Sequence, residues 1–327
     1  MTRRSIGTLV FGAALALSSL AVATPAQAQK YPDKPVRIVL PFGAGGVADV
    51  TTRLVAEKLG DKLGQRFVVE NNPGAGGIAA ARAVMQSPPD GYTLAVFTNG
   101  TAVSVNLFKS LPFDPAKDFA PVSAMGYFDI VLVTNAQGLY KTLGDLIKAA
   151  KEKPGTINIG TIAAGSTQHL AAELFKTTAG IDAVIVPFKT SGEALIGLER
   201  NDVQMVVEFY AALRGGLEAK KFIPVGTSGV NTAAYLPGAP TVKAAGGGDF
   251  EVTSWNAIYA PAGTPADIVK TLNTALNEVL ADPEVRQKAL AMGIEAKGST
   301  PDDIQARLKS DIAKWGKVID KAGIEKR

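Results

Sequence analysis

The chain has 327 residues, 34 Lys or Arg against 30 Asp or Glu, a formal charge of +4, no cysteine and one histidine. Without cysteine there is no disulfide, thiolate metal site or cysteine nucleophile, and one histidine cannot complete a nitrogen or sulfur cage, so no metal or other cofactor is expected. The charge is too balanced to recommend nucleic acid or a membrane surface as partner, and a chain this long has room for a large core shared between two lobes.

Met1–Ala28 reads as an export signal: Arg3 and Arg4, an uncharged apolar core from Leu9 to Ala23, then the small-residue site Ala26-Gln27-Ala28. The mature chain is expected to begin at Gln29 and to carry a charge of about +2. The competing reading, a retained membrane anchor, lacks a stop-transfer pattern. From Val36 onward strand and helix patterns alternate, which predicts α/β layers and a largely parallel sheet. Val36–Leu40 is an apolar strand, and a helix is predicted from Ala48 to Leu63 with Val50, Leu54, Val55 and Leu59 on one side. Phe67–Glu70 is a strand, Ile78–Gln86 a short helix, and Asp90-Gly91 turns into the strand Tyr92–Thr98. The prolines at 112 and 115 keep the next segment extended or turning.

A second series begins near Ile130. Ile130–Val133 is a strand, and Thr142 to Asp145 has the spacing of a capping box. Ile157–Gly160 is a strand, and Ser166 or Thr167 caps a helix reaching Thr178. Strands Val184–Val186, Gln204–Val207 and Phe222–Gly226 flank a helix over Glu193–Arg200. The C-terminal part is predicted mostly helical, with Thr264-Pro265-Ala266-Asp267 and Thr300-Pro301-Asp302-Asp303 both reading as N-cap, proline at the first helical position, and an acid in the first turn.

Two copies of Gly-Ala-Gly-Gly, at 43–46 and 74–77, each sit between a predicted strand and a predicted helix. Glycine allows close approach of a ligand to backbone, and the following helix aims unpaired N–H groups forward. Such turns suit a small anion, although the same pattern also makes a plain strand-to-helix turn. Thr98 and Asn99, at the end of the third strand, are candidate polar contacts. Gly160–Thr167 is a third small-residue turn, offering the hydroxyls of Thr161, Ser166 and Thr167 and the backbone of Ala164 and Gly165. Asp49 either joins the site or complements the helix dipole, Phe42 lies against ligand or in the core, and Lys189 neutralises a carboxylate or ties a hinge. Glu208 ends a strand, where an acid beside a bound anion disfavours it, and Phe209 and Tyr210 beside it raise the option of an aromatic ring in the ligand. His169, inside a predicted helix, reads better as a packed or capping histidine than as a catalytic one.

These segments, in order, resemble the extracytoplasmic substrate-binding proteins of tripartite tricarboxylate transporters, the Bug family. The resemblance rests on collinear blocks: Tyr31–Val39, Pro41–Asp49, Val69–Gly77, Pro89–Leu94, Asp118–Val122, His169-Leu170, Val186–Lys189 and Ala260–Pro265. It implies a two-lobed, Venus-flytrap α/β receptor, each lobe a βα-layered sheet, with a helical C-terminal segment. By that likeness lobe one spans 29–129 plus 253–327 and lobe two 130–252. The cleft between them holds a small organic acid, a carboxylate, for membrane transporter subunits, the protein acting as a monomer in the periplasm. The likeness also implies that the turn at Gly43, Ala44, Gly45 and Gly46 holds the carboxylate through backbone and water, and that Gly160–Thr167 faces it across the cleft. Ala44 departs from the proline usual there.

Two other functions compete. An α/β enzyme would use a glycine loop for a nucleotide, but residues 43–48 lack the dinucleotide spacing and no Walker lysine follows. A receptor of the same shape feeding a sensor kinase is not separated from a transport receptor by sequence.

Overall fold

The computed structural model describes residues 31–162 and 165–327. The expected export signal, Met1–Ala28, and the candidate Ala164 lie outside the described residues. Among the described residues nineteen strands and helices follow in chain order, interrupted by one short 3-10 turn at Ala75–Gly77. The first half runs β1 (Val36–Leu40), α1 (Val47–Leu63), β2 (Phe67–Asn71), α2 (Ile78–Met85), β3 (Thr93–Thr98), α3 (Asn99–Leu107) and β4 (Phe119–Asn135). The middle adds α4 (Leu143–Glu152), β5 (Asn158–Ile162), α5 (Thr167–Ala179), β6 (Val184–Phe188), α6 (Ser191–Glu199), β7 (Met205–Phe209), α7 (Tyr210–Glu218) and β8 (Phe222–Thr227). The chain ends with β9 (Thr253–Pro261), α8 (Ala266–Ala281), α9 (Pro283–Leu290) and α10 (Pro301–Lys321).

The strands lie in the order β2-β1-β3-β9-β4-β7-β5-β6, with β8 also on β4. β4 belongs to both halves. Its residues 119–129 pair with β9, and its residues 130–135 pair with β7 and β8. The outer pairs are parallel, β1 with β2 and β3, and β5 with β6 and β7. Every pair made by β4 or β9 is antiparallel. The largely parallel sheet expected from the βα alternation therefore holds only at the two ends. The middle is built from β4, which runs through both halves, and from β9, which pairs antiparallel with β3 and with the first part of β4.

Local chemistry explains the departures. Pro121 and Gly126 sit within β4 beside two register shifts, and both weaken a strand signal in sequence. The helix α3 has poor intrinsic propensity, with Gly100 and several β-branched residues. It forms on its cap: Thr98 Oγ1 accepts from the Gly100 amide at 3.1 Å, and Thr101 Oγ1 accepts from the Thr98 amide at 3.1 Å. Thr264 does not cap α8. Its hydroxyl donates to the Pro261 carbonyl at 2.8 Å, and Pro265 takes the cap position without a side-chain bond. Thr300 caps α10 as expected, in a capping box with Asp303.

One core cluster joins the halves. It includes Phe97, Trp255 and Tyr259 from the first sheet half, Leu132 and Val207 from the second, and Leu308 and Trp315 of α10. α10 packs on α3, β4 and α5 together, so the C-terminal helix spans both halves. Two further clusters back the outer faces, one around Ile38, Leu59 and Leu276, the other around Val133, Leu198 and Leu213. The two chain crossings are tied where they pass. Ser228 Oγ accepts from the Ile130 amide at 2.8 Å and donates to the Val252 carbonyl at 2.6 Å, and Thr253 Oγ1 donates to Asp129 at 2.9 Å.

Candidate ligand-binding cleft

A cavity of 520 Å³ opens between the halves. The N-terminal turns of four helices reach it: Gly46, Val47 and Ala48 of α1, Gly77 at the cap of α2, Thr98, Gly100 and Thr101 of α3, and Ser166, Thr167 and Gln168 of α5. Each such turn carries unpaired amides and the positive end of a helix dipole. Hydroxyls of Ser104 and Ser254 add polar groups, and Phe42, Phe128, Phe209, Leu107, Phe108 and Ile162 supply an apolar wall. Phe128 and Phe209 meet edge to face at 5.1 Å between ring centres. Among the described residues that line the cavity, Arg327 has the one charged side chain and no side chain is acidic.

The first turn is held from below by Asp49, which is 3% exposed. Its carboxylate accepts from the Gly45 amide at 2.9 Å, from Arg53 Nε at 3.0 Å and from Asn71 Nδ2 at 2.9 Å. Burial alone pushes the Asp49 carboxyl up, but the Arg53, Gly45 and Asn71 hydrogen bonds outweigh it and hold the group below its ordinary value. Asn71 also donates to the Phe42 carbonyl at 2.9 Å, fixing the entry to the turn. Asp49 therefore shapes the loop from behind and does not line the cavity.

The second turn uses the same device with a different residue. The Gly165 amide donates to His169 Nδ1 at 3.3 Å, again four residues on. Ser166 is the N-cap of α5, its Oγ accepting from the His169 amide at 3.1 Å. Burial pushes the His169 ring below its usual value, so at neutral pH it is uncharged and Nδ1 is free to accept. That makes His169 the capping-network residue that the sequence favoured.

Of the sequence candidates, Phe42, Gly46, Thr98, Gly165, Ser166 and Thr167 line the cavity. Gly43, Ala44, Gly45, Asp49, Asn99, Thr161, Lys189 and Glu208 do not, and most have other work. The Gly45 amide is spent on Asp49. Asn99 is buried, receives Trp315 Nε1 at 2.7 Å and donates to Thr167 Oγ1 at 3.2 Å, so its amide ties α3 to α10 and α5. Thr161 is fully buried and its hydroxyl donates to Ile162 O at 3.1 Å. Lys189 is exposed, one residue past the end of β6. Glu208, 2% exposed, sits behind the wall, accepting from Gln168 Nε2 and Ser191 Oγ at 2.7 Å each. Burial pushes its carboxyl above the ordinary value, against the hydrogen bonds from Ser191, Gln168 and the Phe209 amide.

The second Gly-Ala-Gly-Gly, which the sequence offered as an anion turn beside the first without naming its residues as contacts, lines the cavity with Gly74, Gly76 and Gly77; sequence reasoning missed the α3 face at Thr101, Ser104 and Leu107, and Ser254 and Asn256 on β9. The last two carried a readable signal, because Ser and Asn alternate inside an otherwise apolar strand run.

The chain matches the tripartite tricarboxylate transporter family receptor over residues 51–324. It belongs to that family of solute-binding receptors. Protein BugT of Bordetella pertussis is 32% identical over 309 residues, covering 94% of this chain and 95% of its own length. Among solved structures, R. palustris Rpa4515 with adipate shares 34% identity and a TM-score of 0.78 over 90% of this chain and 98% of its own. MatC from Rhodopseudomonas palustris with bound malate shares 29% identity and a TM-score of 0.73 over 88% and 100%. The two-lobed α/β receptor fold expected from the collinear blocks is thus the fold of this chain. Among the described residues no helix is long and apolar enough to cross a membrane.

Proposed function

We propose that this protein is a periplasmic receptor that captures a small organic acid in the cleft, leaves it chemically unchanged, and hands it to the membrane subunits of a tripartite tricarboxylate-type transporter. The observation that carries this reading is the convergence of four helix N-terminal turns on one cavity with no acidic side chain among its described lining residues. Backbone amides and helix dipoles there favour an anion without a salt bridge that would have to be broken on release. The bound adipate and malate of the two relatives support a carboxylate. His169 supports binding over catalysis, because its Nδ1 is engaged by the Gly165 amide.

In this reading Phe42, Gly46, Thr98, Gly165, Ser166 and Thr167 touch the ligand. The lobes are 29–129 plus 253–327 and 130–252, hinged at the two crossings tied by Ser228 and Asp129. Cleavage after Ala28 releases a monomer to the periplasm. Closure is a population shift, driven by tighter binding to the closed form. Ligand that binds only the folded state stabilises it by mass action, about 2.7 kcal/mol at a hundredfold excess over Kd. A panel of mono-, di- and tricarboxylates tested on the purified mature protein should therefore include acids that raise Tm by roughly 5–10 °C. A panel with no shift, or turnover of any member, removes the proposal.

A further inference from the structure

Among the described residues three asparagines are buried, and they differ in what their amides do. Asn99 is saturated by Trp315 and Thr167. Asn135 donates to the Leu198 carbonyl at 3.1 Å and accepts from the Gln137 amide at 2.8 Å. Asn256 is 0% exposed, and neither its Oδ1 nor its Nδ2 has a partner. It lies on β9 opposite Thr98 of β3 and lines the cavity, as does Ser254 on the same face two residues earlier. A buried polar group left without a partner is destabilising, so a fully buried amide with both ends bare needs a reason to be there.

We infer that Asn256 reads the ligand, pairing with a hydroxyl or carboxamide of an organic acid whose carboxylate lies at the helix N-termini. This rests on the receptor reading above. A primary amide presents one acceptor and a two-hydrogen donor. A second carboxylate only accepts, so it would satisfy Nδ2 and leave Oδ1 bare. A hydroxyl both donates and accepts, and a carboxamide does the same. The aromatic and aliphatic wall formed by Phe128, Phe209, Leu107 and Ile162 suits the carbon body between the two polar ends. The class selected is a hydroxylated or amidated monocarboxylate with an apolar middle. A site built to bond a polar group rejects the analogue that lacks it far more strongly than a hydrophobic pocket rejects a missing methylene.

The test uses the full mature protein and straight-chain monocarboxylates of four to eight carbons, each with and without a hydroxyl, measured by calorimetric titration. Wild type is expected to prefer the better hydroxylated acids by tenfold or more. Asn256→Leu, which keeps the branched shape and the number of side-chain heavy atoms, should bring the ratio within about twofold while keeping affinity for the plain acids. Its Tm without ligand should hold or rise, because an unpaired buried amide is replaced by a matching apolar group. An Asn256→Leu variant that keeps the wild-type preference overturns the inference, and so does a wild type that shows none. Should the added bulk of Leu destabilise the fold, Asn256→Ala serves instead, and an Asn256→Ala variant that keeps the wild-type preference overturns the inference. If no acid of either series binds wild type, it is the receptor reading that has failed.

Discussion

The turns at 42–49 and 162–169 use one architecture with two chemistries. Each follows a strand and ends in a helix N-terminus. Each contains a glycine at positive φ, +87° at Gly45 and +81° at Gly165, whose amide is captured by the side chain four residues on. In the first turn the captor is a carboxylate with Arg53 and Asn71 behind it. In the second it is a lone neutral imidazole. The surroundings differ too: a Cβ on Gly45 would meet nothing within 4 Å, whereas on Gly165 it would lie 2.7 Å from Leu107 Cδ2 in the opposite half. The first turn is firmly anchored and stands clear of its neighbours. The second is lightly anchored and fits against the other lobe. In a receptor that closes on its ligand, this division leaves the second turn as the one whose position reports on the approach of the halves.

The glycine pair tests that distinction most strongly. Gly45→Ala should cost about 1–2 kcal/mol, the strain of a left-handed backbone alone. Gly165→Ala adds overlap with Leu107 and should cost about 2–4 kcal/mol. Titration with the tightest acid of the panel should show at least a tenfold loss for Gly165→Ala and a change within about threefold for Gly45→Ala. Equal losses would mean that the first turn also meets the ligand through Gly45, contrary to the engagement of its amide by Asp49.

The anchors come next in size. Asp49→Ala strands the Gly45 amide, an Asn71 donor and the Arg53 guanidinium, and should cost about 2–3 kcal/mol in urea unfolding, moderated because Arg53 is half-exposed and reaches water. His169→Leu strands one amide, for about 1 kcal/mol. The reverse order would show that the imidazole, and not the carboxylate, is the stronger clamp.

Most of the outer architecture was legible in sequence because each strand and helix there obeys a local rule: apolar runs in β1 and β3, the capping box at Thr142, the Ser166 cap of α5, the proline and acids that open α10. The centre was not, because its logic is long-range. β4 carries Pro121 and Gly126 yet persists for 17 residues, held by β9 on one side and by β7 and β8 on the other. α3 exists through its cap and its packing on α10. At the site, the family likeness drew attention to the glycines of 43–46. Only Gly46 lines the cavity, while Gly74, Gly76 and Gly77 of the repeated tetrapeptide do. Nothing in spacing tells which copy faces a cleft. That follows from where the opposite lobe sits. Asn99 and Asn256 make the same point: a place at a strand end favoured the first, and the hydrogen-bond partners assign the free amide to the second.

The smallest effect separates the anchors by pH. Burial holds the His169 ring below its ordinary value of 6.5, with Glu173 opposing and Lys176 and Arg327 adding to the depression. Between that lowered value and 6.5 the unfolded chain binds the proton more readily, so the stability this group lends is complete above 6.5 and is lost as pH falls through the folded value. Asp49 is depressed from 3.8, so its contribution persists until pH falls below that range. Asp129, pushed up to about 6 mainly by burial, works in the opposite sense: folding favours its proton between 3.8 and 6, so its charged form costs stability as pH rises through 6. Raw melting curves mix these effects, and differences between proteins separate them. The Tm advantage of wild type over His169→Leu should shrink by about 2–4 °C between pH 7.5 and 5.5, the loss of about 1 kcal/mol. The advantage over Asp49→Ala should stay level across the same range. A level difference for His169→Leu would show that the ring nitrogen holds the Gly165 turn no more tightly than water does, and that the second loop is shaped by Leu107 alone.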